Sequence, residues 1–403
     1  MNMLGIALRS LRRDAGRNAR TALIIAVGLA ALLLGEGFML STYDALREIA
    51  MRGQGHVIIT SAAPLPPGGV LARLTLGDWR TLRDELLEEE GVLRVLPRAR
   101  FEGLVSRGET SAAFSGTGVD PAEEFKVHGP FLRTTAVLDP WPAPDTPPEV
   151  LLGDGLARLL GAEAGDGLVL QAPGEGMSPV HLKVRLAGLY HTGTPAVDDH
   201  TLMTGLDTAA ALLGTDRVSR LSVYLQDPAR AADFARRFQA RHPGLRARTW
   251  AQLAELYPKV KAQYDRIFGV MGAIILALVF IAVANTIALA THQRRAEIAT
   301  LAALGTQRWR IHARFVLEAC LLGLLATALG MALAWALAHA VNAAGLMMPA
   351  PPGKSEGYPI YIYVSWPHYL ATAALLTLLA ALAAWRAVRR NARIDIAATL
   401  AGG

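Results

Sequence analysis

The sequence predicts a membrane protein with four transmembrane α-helices and a large extracytoplasmic α/β domain inserted between the first and the second of them. Four apolar spans support this fold class, because each exceeds the ~20 residues that a helix needs to cross a hydrocarbon core of about 30 Å. They run roughly over Thr21–Leu40, Ile267–Ala290, Phe315–Ala340 and Trp366–Val388. A long polar stretch separates the first span from the other three, and this layout indicates transport or transmembrane signalling.

The distribution of charge predicts the side of the membrane that each segment occupies. Residues 45–265 carry 24 Lys and Arg against 27 Asp and Glu, whereas the rest of the chain carries 16 against 7. Nucleic-acid binding would place basic charge on a soluble face, but here the basic clusters adjoin the spans, as the positive-inside rule describes. We therefore expect both termini and the connection between the second and third spans to be cytoplasmic. The clusters are Arg9, Arg12, Arg13, Arg17 and Arg20; Arg294, Arg295, Arg308, Arg310 and Arg314; and Arg386, Arg389, Arg390 and Arg393.

The first twenty residues predict a cytoplasmic amphipathic helix, because Leu4, Leu8 and Leu11 share one face. A signal peptide is the alternative for the first span, but the apolar run exceeds the roughly 7–15 residues of such a peptide. The predicted segments are the amphipathic helix over 1–20, the first span over 21–43, the extracytoplasmic domain over 44–264, the second span over 265–291, a coupling connection over 292–314, the third span over 315–341, an outer loop over 342–365, the fourth span over 366–388 and a cytoplasmic tail over 389–403.

Apolar periodicity predicts both strands and helices in the inserted domain. The strands are expected over Gly55–Thr60, Val180–Leu186 and Leu221–Leu225, and the helices over Trp79–Leu87 and Ala229–Phe238. Pro-rich joints at residues 64–69 and 140–148 divide the domain into a middle lobe, about 112–200, and two flanking halves.

Two further local features concern the end of this domain and its stability. Thr249 and Gln252 predict a capping box for a helix that runs toward the membrane until Pro258 breaks or kinks it. The only cysteine, Cys320, lies in the third span, so the extracytoplasmic domain cannot rely on disulfides.

The connection between the second and third spans has the pattern of a short cytoplasmic helix. Charged residues at the membrane edge precede an apolar stripe, and a glycine follows as a C-cap. A protein that pushes on such a helix would move both spans together, whereas the alternative is an ordinary basic loop. The residues concerned are Arg294, Arg295, Glu297, Ile298, Leu301, Leu304 and Gly305.

This connection resembles the permease signature of the MacB/FtsX/LolC class of ABC transporters, which is close to R-x-x-E-I-G-x-L-x-A-x-G followed by F-x-x-E. Here Arg294-x-x-Glu297-Ile298 and the LAALG run at 301–305 precede Phe315 and Glu318. Ala299 stands where the family usually has glycine, and the tail lacks the prolines often found there. The segment 152–170 is similar to the family's G-x-x-L-A-x-x-L-G-x-x-x-G-D motif, and the GLYHTG turn at 188–193 resembles its V-x-G-x-x-x-T/S-G turn. The resemblance covers nearly the whole chain in family order.

The resemblance implies a mechanotransmission permease of the bacterial inner membrane, with its large domain in the periplasm. Two such subunits, alike or related, would pair, and each would dock a cytoplasmic ATPase through the coupling helix. The chain has no G-x-x-x-x-G-K-[ST] loop, so ATP and Mg²⁺ are expected on a separate ATPase. We expect no catalytic residue, metal or cofactor in this chain, and no nucleic-acid partner.

The cargo implied by the stand-alone permease format is a lipoprotein or another lipophilic molecule, as in the lipoprotein-releasing branch of the family. Adaptor-linked efflux of drugs or peptides, and FtsX-like signalling to a cell-wall hydrolase, are the alternatives. We interpret the His191, Asp198, Asp199 and His200 group as a polar turn, although these residue types can bind zinc. The expected cargo cavity and dimer interface, in contact with membrane lipids, comprises Glu36, Phe38, Met39, Leu40, Ile267 and Phe268.

Overall fold

A computed structural model describes the chain except for residues 1–14, 64–73, 129–131, 142–145, 175–177, 255, 294–306, 351–353 and 392–403. The chain divides into two compact units. The helical unit comprises Met1–Asp44, Lys259–Met347 and Pro359–Gly403, and the α/β unit comprises Ala45–Pro258 and Met348–Tyr358.

The described elements alternate between helices and strands in the first two-thirds of the chain. The helices are α1 (Ala15–Gln54), α2 (Trp79–Glu88), α3 (Pro121–His128), α4 (Asp154–Leu160), α5 (Pro195–Asp198), α6 (Leu206–Leu213), α7 (Ala231–Arg241), α8 (Trp250–Leu253), α9 (Leu256–Gln293), α10 (Arg308–Ala344) and α11 (Trp366–Asn391). The strands are β1 (Val57–Ser61), β2 (Val92–Arg107), β3 (Thr110–Val119), β4 (Arg133–Thr134), β5 (Glu149–Gly153), β6 (Gly167–Pro173), β7 (Pro179–His191), β8 (Thr201–Gly205), β9 (Arg220–Leu225), β10 (Leu245–Thr249), β11 (Met347–Met348) and β12 (Tyr358–Pro359).

Four of the described helices are long and apolar enough to cross a membrane, namely α1, α9, α10 and α11. Their candidate spans are Asn18–Gln54, Tyr257–Ala290, Ala313–Ala344 and Trp366–Arg389. The predicted fold class, four spans with an α/β domain inserted after the first, is confirmed.

Small side chains occupy the buried positions of the last two spans. The buried residues of α10 and α11 are mainly alanines, which let two helix backbones approach closely where lipid supplies no hydrophobic drive. They are Ala319, Ala326 and Ala334 on α10 and Ala373, Ala380, Ala383 and Ala384 on α11.

Ten strands of the described residues form one mixed sheet in the α/β unit. Its order is β10-β1-β9-β2-β3-β8-β5-β7-β4, and β6 pairs with both β2 and β7. Strand β2 pairs with different strands along its length: residues 92–98 pair with β9, and residues 99–107 pair with β3. One continuous strand therefore connects the part of the sheet around β9 with the part around β3.

Burial along the strands follows the apolar pattern of the sequence. In β7, Val184 and Leu186 are buried and Lys183 and Arg185 are exposed, as alternation requires. In β9 all of residues 221–225 are buried, including Ser222 and Tyr224. This strand is central in its part of the sheet and is covered on both faces, a property that its alternating pattern did not indicate.

The predicted middle lobe, about 112–200, lies within one compact unit that contains all of Ala45–Pro258. Strand β2 pairs with β9 and with β3, so the sheet is continuous from the flanking residues into this segment. The lobe boundary stays a prediction.

The helix that enters the second span differs from the prediction in its start. Thr249 and Gln252 form the predicted capping box, in which the Thr249 N–H donates to Gln252 Oε1 at 3.0 Å. The capped helix α8 nevertheless ends at Leu253, and Pro258 lies in the first turn of the next helix, α9. Proline is tolerated there because the first N–H groups of a helix have no intrahelical partner.

The aromatic contact of α7 with the sheet gives a test of the domain core. Phe238 is fully buried and stacks on Phe234 and His242. We expect Phe238→Ala to destabilise the α/β domain by about 3–5 kcal/mol through lost burial and a cavity. Thermal unfolding of the purified chain would measure this, with Arg237→Ala on the exposed face of α7 as the control. Equal stability of the two variants would contradict the assigned core.

Candidate functional site

Helix α1 is much longer than a membrane crossing requires. It has 40 residues and so a length of about 60 Å, twice the thickness of a hydrocarbon core. Its first part belongs to the helical unit, and its last ten residues, from Ala45, belong to the α/β unit. A continuous helix transmits displacement along its axis, so the attachment of its end to the sheet is the first site of interest.

The C-terminal end of α1 is held by side chains from the sheet. Arg98 Nη1 of β2 donates to the Gly53 carbonyl at 2.6 Å, and the Tyr224 hydroxyl of β9 donates to the Arg52 carbonyl at 2.7 Å. The last carbonyls of a helix have no intrahelical partner, and they carry the negative end of its dipole. The Arg98 guanidinium and the Tyr224 hydroxyl therefore donate hydrogen bonds to these carbonyls, and the charge of Arg98 lies at the negative end of the helix dipole.

Gly55 ends the helix in the manner of a C-cap glycine. Its φ is +97°, and its N–H donates to the Met51 carbonyl at 2.8 Å. A Cβ at this position would lie 3.0 Å from Ser222 Cβ. Glycine is needed here both for the left-handed backbone and for the close approach to β9.

A buried ion pair fixes the position of Arg98. Its Nη2 lies 2.7 Å from Glu124 Oε1 of α3, and its Nε donates to Glu124 Oε2 at 3.2 Å, so the contact is bidentate. Both side chains are 2% exposed. Arg98 Nη2 also donates to the Tyr224 hydroxyl at 3.1 Å. We call Arg98, Glu124 and Tyr224 the clamp.

The electrostatics of the clamp keep its carboxylate ionised. Burial by itself would raise the pKa of Glu124, but the charge of Arg98 and the hydrogen bond with His128 outweigh burial and lower this pKa to about 2. The surroundings of Arg220, the residue of β9 that pairs with Arg98, instead disfavour its charged form. Burial and the positive charges of Arg98 and Arg100 lower the pKa of Arg220 to about 9.

A seam of small and hydroxyl-bearing residues joins α1 to α9. A Cβ at Gly28 would lie 3.3 Å from Ile275 and Val279, and one at Gly35 would lie 3.0 Å from the Phe268 ring. The seam begins at a hydroxyl pair, since Thr21 Oγ1 and Thr286 Oγ1 are 2.7 Å apart. Glycine at such positions allows close helix contact within a membrane.

The far end of the seam is polar. The Tyr43 hydroxyl donates to Asp265 Oδ1 at 2.7 Å, and Lys261 Nζ lies 2.7 Å from Asp265 Oδ2. These contacts bind the two helices together near Asp44, where α1 leaves the helical unit.

The predicted cargo residues do not converge on one point within this chain. Glu36 faces α11, where its carboxylate lies 3.8 Å from His368 Nε2. Phe268 packs against Gly35 and stacks on Tyr264, whereas Ile267 is 55% exposed. The remaining three predicted residues are half-buried on α1, namely Phe38, Met39 and Leu40.

The predicted coupling residues lie outside the described residues. They are Arg294, Arg295, Glu297, Ile298, Leu301, Leu304 and Gly305. The second half of the family signature is described: Phe315 and Glu318 are both 4% exposed within the helical unit. These two residues therefore lie in the helix packing near the start of the third span.

The clamp residues were not identified from the sequence. The sequence does not single out Arg98, because Arg94 and Arg100 stand at even spacing from it in the same strand. Of the group interpreted as a polar turn, His191 is the last residue of β7, Asp198 ends α5, and Asp199 and His200 precede β8. Among the described residues, no group of three or more His, Cys, Asp or Glu is arranged to hold a metal ion.

Comparison with known proteins places the chain in a class. Residues 269–396 match the FtsX-like permease C-terminal family. The lipoprotein-releasing system transmembrane protein LolC of Neisseria meningitidis serogroup B is 25% identical over 336 residues, which cover 81% of this chain and 79% of that protein. LolC of Xylella fastidiosa strain 9a5c is 23% identical over 318 residues, or 76% of this chain and 73% of that protein. The predicted resemblance to permeases of the MacB/FtsX/LolC type is confirmed.

Two solved structures are similar to part of this permease. The periplasmic region of MacB from Actinobacillus actinomycetemcomitans has a TM-score of 0.37 and 12% identity, covering 51% of the permease and 94% of that chain. The extracellular domain of the noncanonic ABC-type transporter YknZ from Gram-positive bacteria has a TM-score of 0.34 and 12% identity, covering 48% and 99%. The family match and the LolC relatives make the permease a multi-pass protein of the bacterial inner membrane and an ABC transporter subunit.

Acid is expected to weaken the clamp. The pKa of Glu124 is about 2 in the folded protein against an ordinary value of 4.5. Its stabilising effect, about 3 kcal/mol, is therefore complete above pH 4.5 and is lost as the pH falls from 4.5 toward 2. Unfolding of the α/β domain in the purified permease, followed across this range, would measure the loss.

Two variants make this test specific to the clamp. Glu124→Gln removes the titrating group, so its stability should depend less on acid than that of the parent. Glu102→Gln, at an exposed carboxylate on the same strand as Arg98, should keep the parental acid dependence. An acid slope that is the same in the parent and in Glu124→Gln would contradict the assignment.

Proposed function

We propose that this permease couples ATP hydrolysis on a separate cytoplasmic ATPase to movement of its α/β domain, and that this movement extracts a lipoprotein or another lipophilic cargo from the membrane. The observation that carries the proposal is the clamp at the end of α1. A continuous helix whose last carbonyls accept hydrogen bonds from Arg98 and Tyr224, with Arg98 itself held by a buried ion pair, is suited to transmit force. The printed names of the LolC relatives, which belong to lipoprotein-releasing systems, support the choice of cargo.

The orientation follows from the distribution of basic residues. The proposal puts both termini and residues 292–314 in the cytoplasm, and the α/β domain in the periplasm. A closing ATPase pair would then press on the connection between α9 and α10. Because α9 is joined to α1 along the seam, the two helices would shift together, and the clamp would carry this shift into the sheet.

The clamp suits this role because its disruption is energetically costly. Removing one partner of a buried ion pair costs about 3–5 kcal/mol, since the remaining charge has no compensation. The ion pair therefore keeps Arg98 in position, and the end of α1 is held by the hydrogen bonds that Arg98 and Tyr224 donate to its carbonyls. A loosely attached helix would rotate or slide without moving the domain.

The proposed cargo surface is the exposed apolar face of α9, together with Phe38, Met39 and Leu40 of α1. The members on α9 recur at helical spacing and are between 55% and 62% exposed in the single chain, whereas the three residues of α1 are half-buried. A second permease subunit facing this surface would enclose an apolar cavity, which an acyl chain can enter. The exposed residues of α9 are Ile267, Val270, Ile274, Leu278 and Ile281.

Co-purification from the native cells tests the proposed function. We expect the permease in mild detergent to retain an ABC ATPase, a second permease subunit and lipoproteins or lipids, identified by mass spectrometry. Leu301→Asp, in the predicted coupling helix, should lose the ATPase while keeping the second permease subunit. An ATPase with a periplasmic adaptor would indicate efflux, one with a cell-wall hydrolase would indicate signalling, and no ATPase at all would refute the proposal.

Introducing a charged side chain on α9 tests the proposed cargo surface. Ile267→Asp places a carboxylate on the exposed face of α9 without disturbing packing in the chain, and we expect it to reduce ATP-dependent cargo release by tenfold or more. Leu337→Asp near the corresponding end of α10, where the side chain is 41% exposed, is the control for a charge in a span. Equal release by Ile267→Asp and the parent would remove α9 from the cargo pathway.

A further inference from the structure

The segment between the third and fourth spans is divided between the two units of the protein. Residues Met348–Tyr358 group with the α/β unit, although they follow and precede transmembrane helices in the chain. Residues from Pro359 onward group with the helical unit. The sequence indicated only an outer loop here. We call residues 354–363 the strap, and it is anchored separately in each unit.

The first anchor begins with contacts of the strap to the turn after β7. The Ser355 N–H donates to the Gly193 carbonyl at 3.1 Å, and Lys354 Nζ donates to Thr194 Oγ1 at 2.7 Å. Gly193 has a φ of +71°, so the turn that presents this carbonyl depends on glycine. The strap thus joins the domain through its backbone as well as its side chains.

Two side-chain contacts complete the first anchor. Ser355 Oγ lies 2.9 Å from His191 Nε2, and Arg133 Nη1 of β4 donates to Glu356 Oε1 at 2.7 Å. The Arg133 pair is largely exposed, and exposed ion pairs contribute little to stability. The less exposed His191 is therefore the main side-chain contact of the anchor.

His191 is held in place by two carboxylates behind it. Its Nδ1 lies 3.1 Å from Asp154 Oδ2 and 3.2 Å from Asp198 Oδ2. Asp198 is itself 1% exposed, and it accepts hydrogen bonds from the Thr192 N–H and hydroxyl. The two carboxylates therefore lie on the Nδ1 side of the ring, and Nε2 on the other side faces the strap.

The second anchor binds the strap to the transmembrane helices. Asn342 of α10 makes two hydrogen bonds with Ile362: its Nδ2 donates to the Ile362 carbonyl at 3.0 Å, and its Oδ1 accepts from the Ile362 N–H at 2.9 Å. The Tyr363 N–H donates to the Gly37 carbonyl of α1 at 3.2 Å. A Cβ at Gly37 would collide with the Tyr363 carbonyl. Extended backbone near a membrane requires such partners, because lipid offers none.

We propose that the strap is a second mechanical link between the α/β domain and the transmembrane helices, and that its seating on His191 determines how firmly the domain follows them. Residues 357–361 separate the two anchors. From Glu356 to Ile362 the chain extends over at most roughly 21 Å, so two intact anchors limit how far the domain can move from the helices. The inference rests on the proposed function, since it adds a path for force beside α1.

Hydrogen exchange on the full-length permease in lipid nanodiscs tests the seating. The N–H of Ser355 is the probe, since its acceptor is the Gly193 carbonyl. Without nucleotide, we expect His191→Ala to raise amide exchange in peptides that cover residues 354–358 by about tenfold, which corresponds to the loss of one hydrogen-bonded contact. Ser355→Ala removes only the hydroxyl, so it should also raise amide exchange in these peptides, but by a smaller factor.

Matched controls separate the strap from general unfolding. His181→Ala, at an exposed histidine of the same strand β7, should leave strap exchange unchanged. Peptides over residues 221–225, in the central strand β9, should stay protected in all variants. Unchanged strap exchange in both His191→Ala and Ser355→Ala would overturn the proposal.

A second measurement adds the co-purified ATPase and ATP. The parent and His181→Ala should show an ATP-dependent change of exchange in the α/β domain, and His191→Ala should show a smaller one. A full ATP-dependent change in His191→Ala, despite a released strap, would overturn the coupling role. No ATP-dependent change in the parent would refute the proposed function, and with it that coupling role, while the seating measured without nucleotide would stand by itself.

Discussion

The bidentate contact of Arg98 with Glu124 is the interaction on which the attachment of the first helix depends. Two charges removed from water are stable only when each satisfies the other and the remaining donors find acceptors. Arg98 meets this condition with Glu124, the Gly53 carbonyl and the Tyr224 hydroxyl. The requirement to pair one buried guanidinium therefore fixes three elements around the end of α1.

The helical unit uses a different physical solution at the same helix. Lipid gives no hydrophobic drive for two spans to associate, so their contact depends on close packing and a few polar pairs. Gly28 and Gly35 provide the first, and the Thr21 and Thr286 hydroxyls provide the second. Helix α1 is consequently bound by small residues along its apolar part and by buried charge at its end. Contacts between small residues are suited to lipid, and the buried ion pair is suited to the packed interior of the α/β unit.

The proposed function depends on how shape changes pass along the chain. The candidate site is accordingly a set of attachments: the clamp, the seam and the strap. None of these is a cavity with convergent reactive groups. Residues that hold elements together are the ones whose substitution should separate ATP hydrolysis from movement.

The sequence by itself determined the four spans, their order and the family, because hydrophobic length and a signature such as Arg294-x-x-Glu297 are local properties of the chain. Three of the strands, β1, β7 and β9, and the capping box at Thr249 could also be predicted from it. Only the tertiary structure decided the clamp and the strap. Arg98 is 26 residues from Glu124 and 126 from Tyr224, and Ser355 is 164 from His191. No local pattern specifies a partner at such separations, which strand order and the path of the last loop alone bring together.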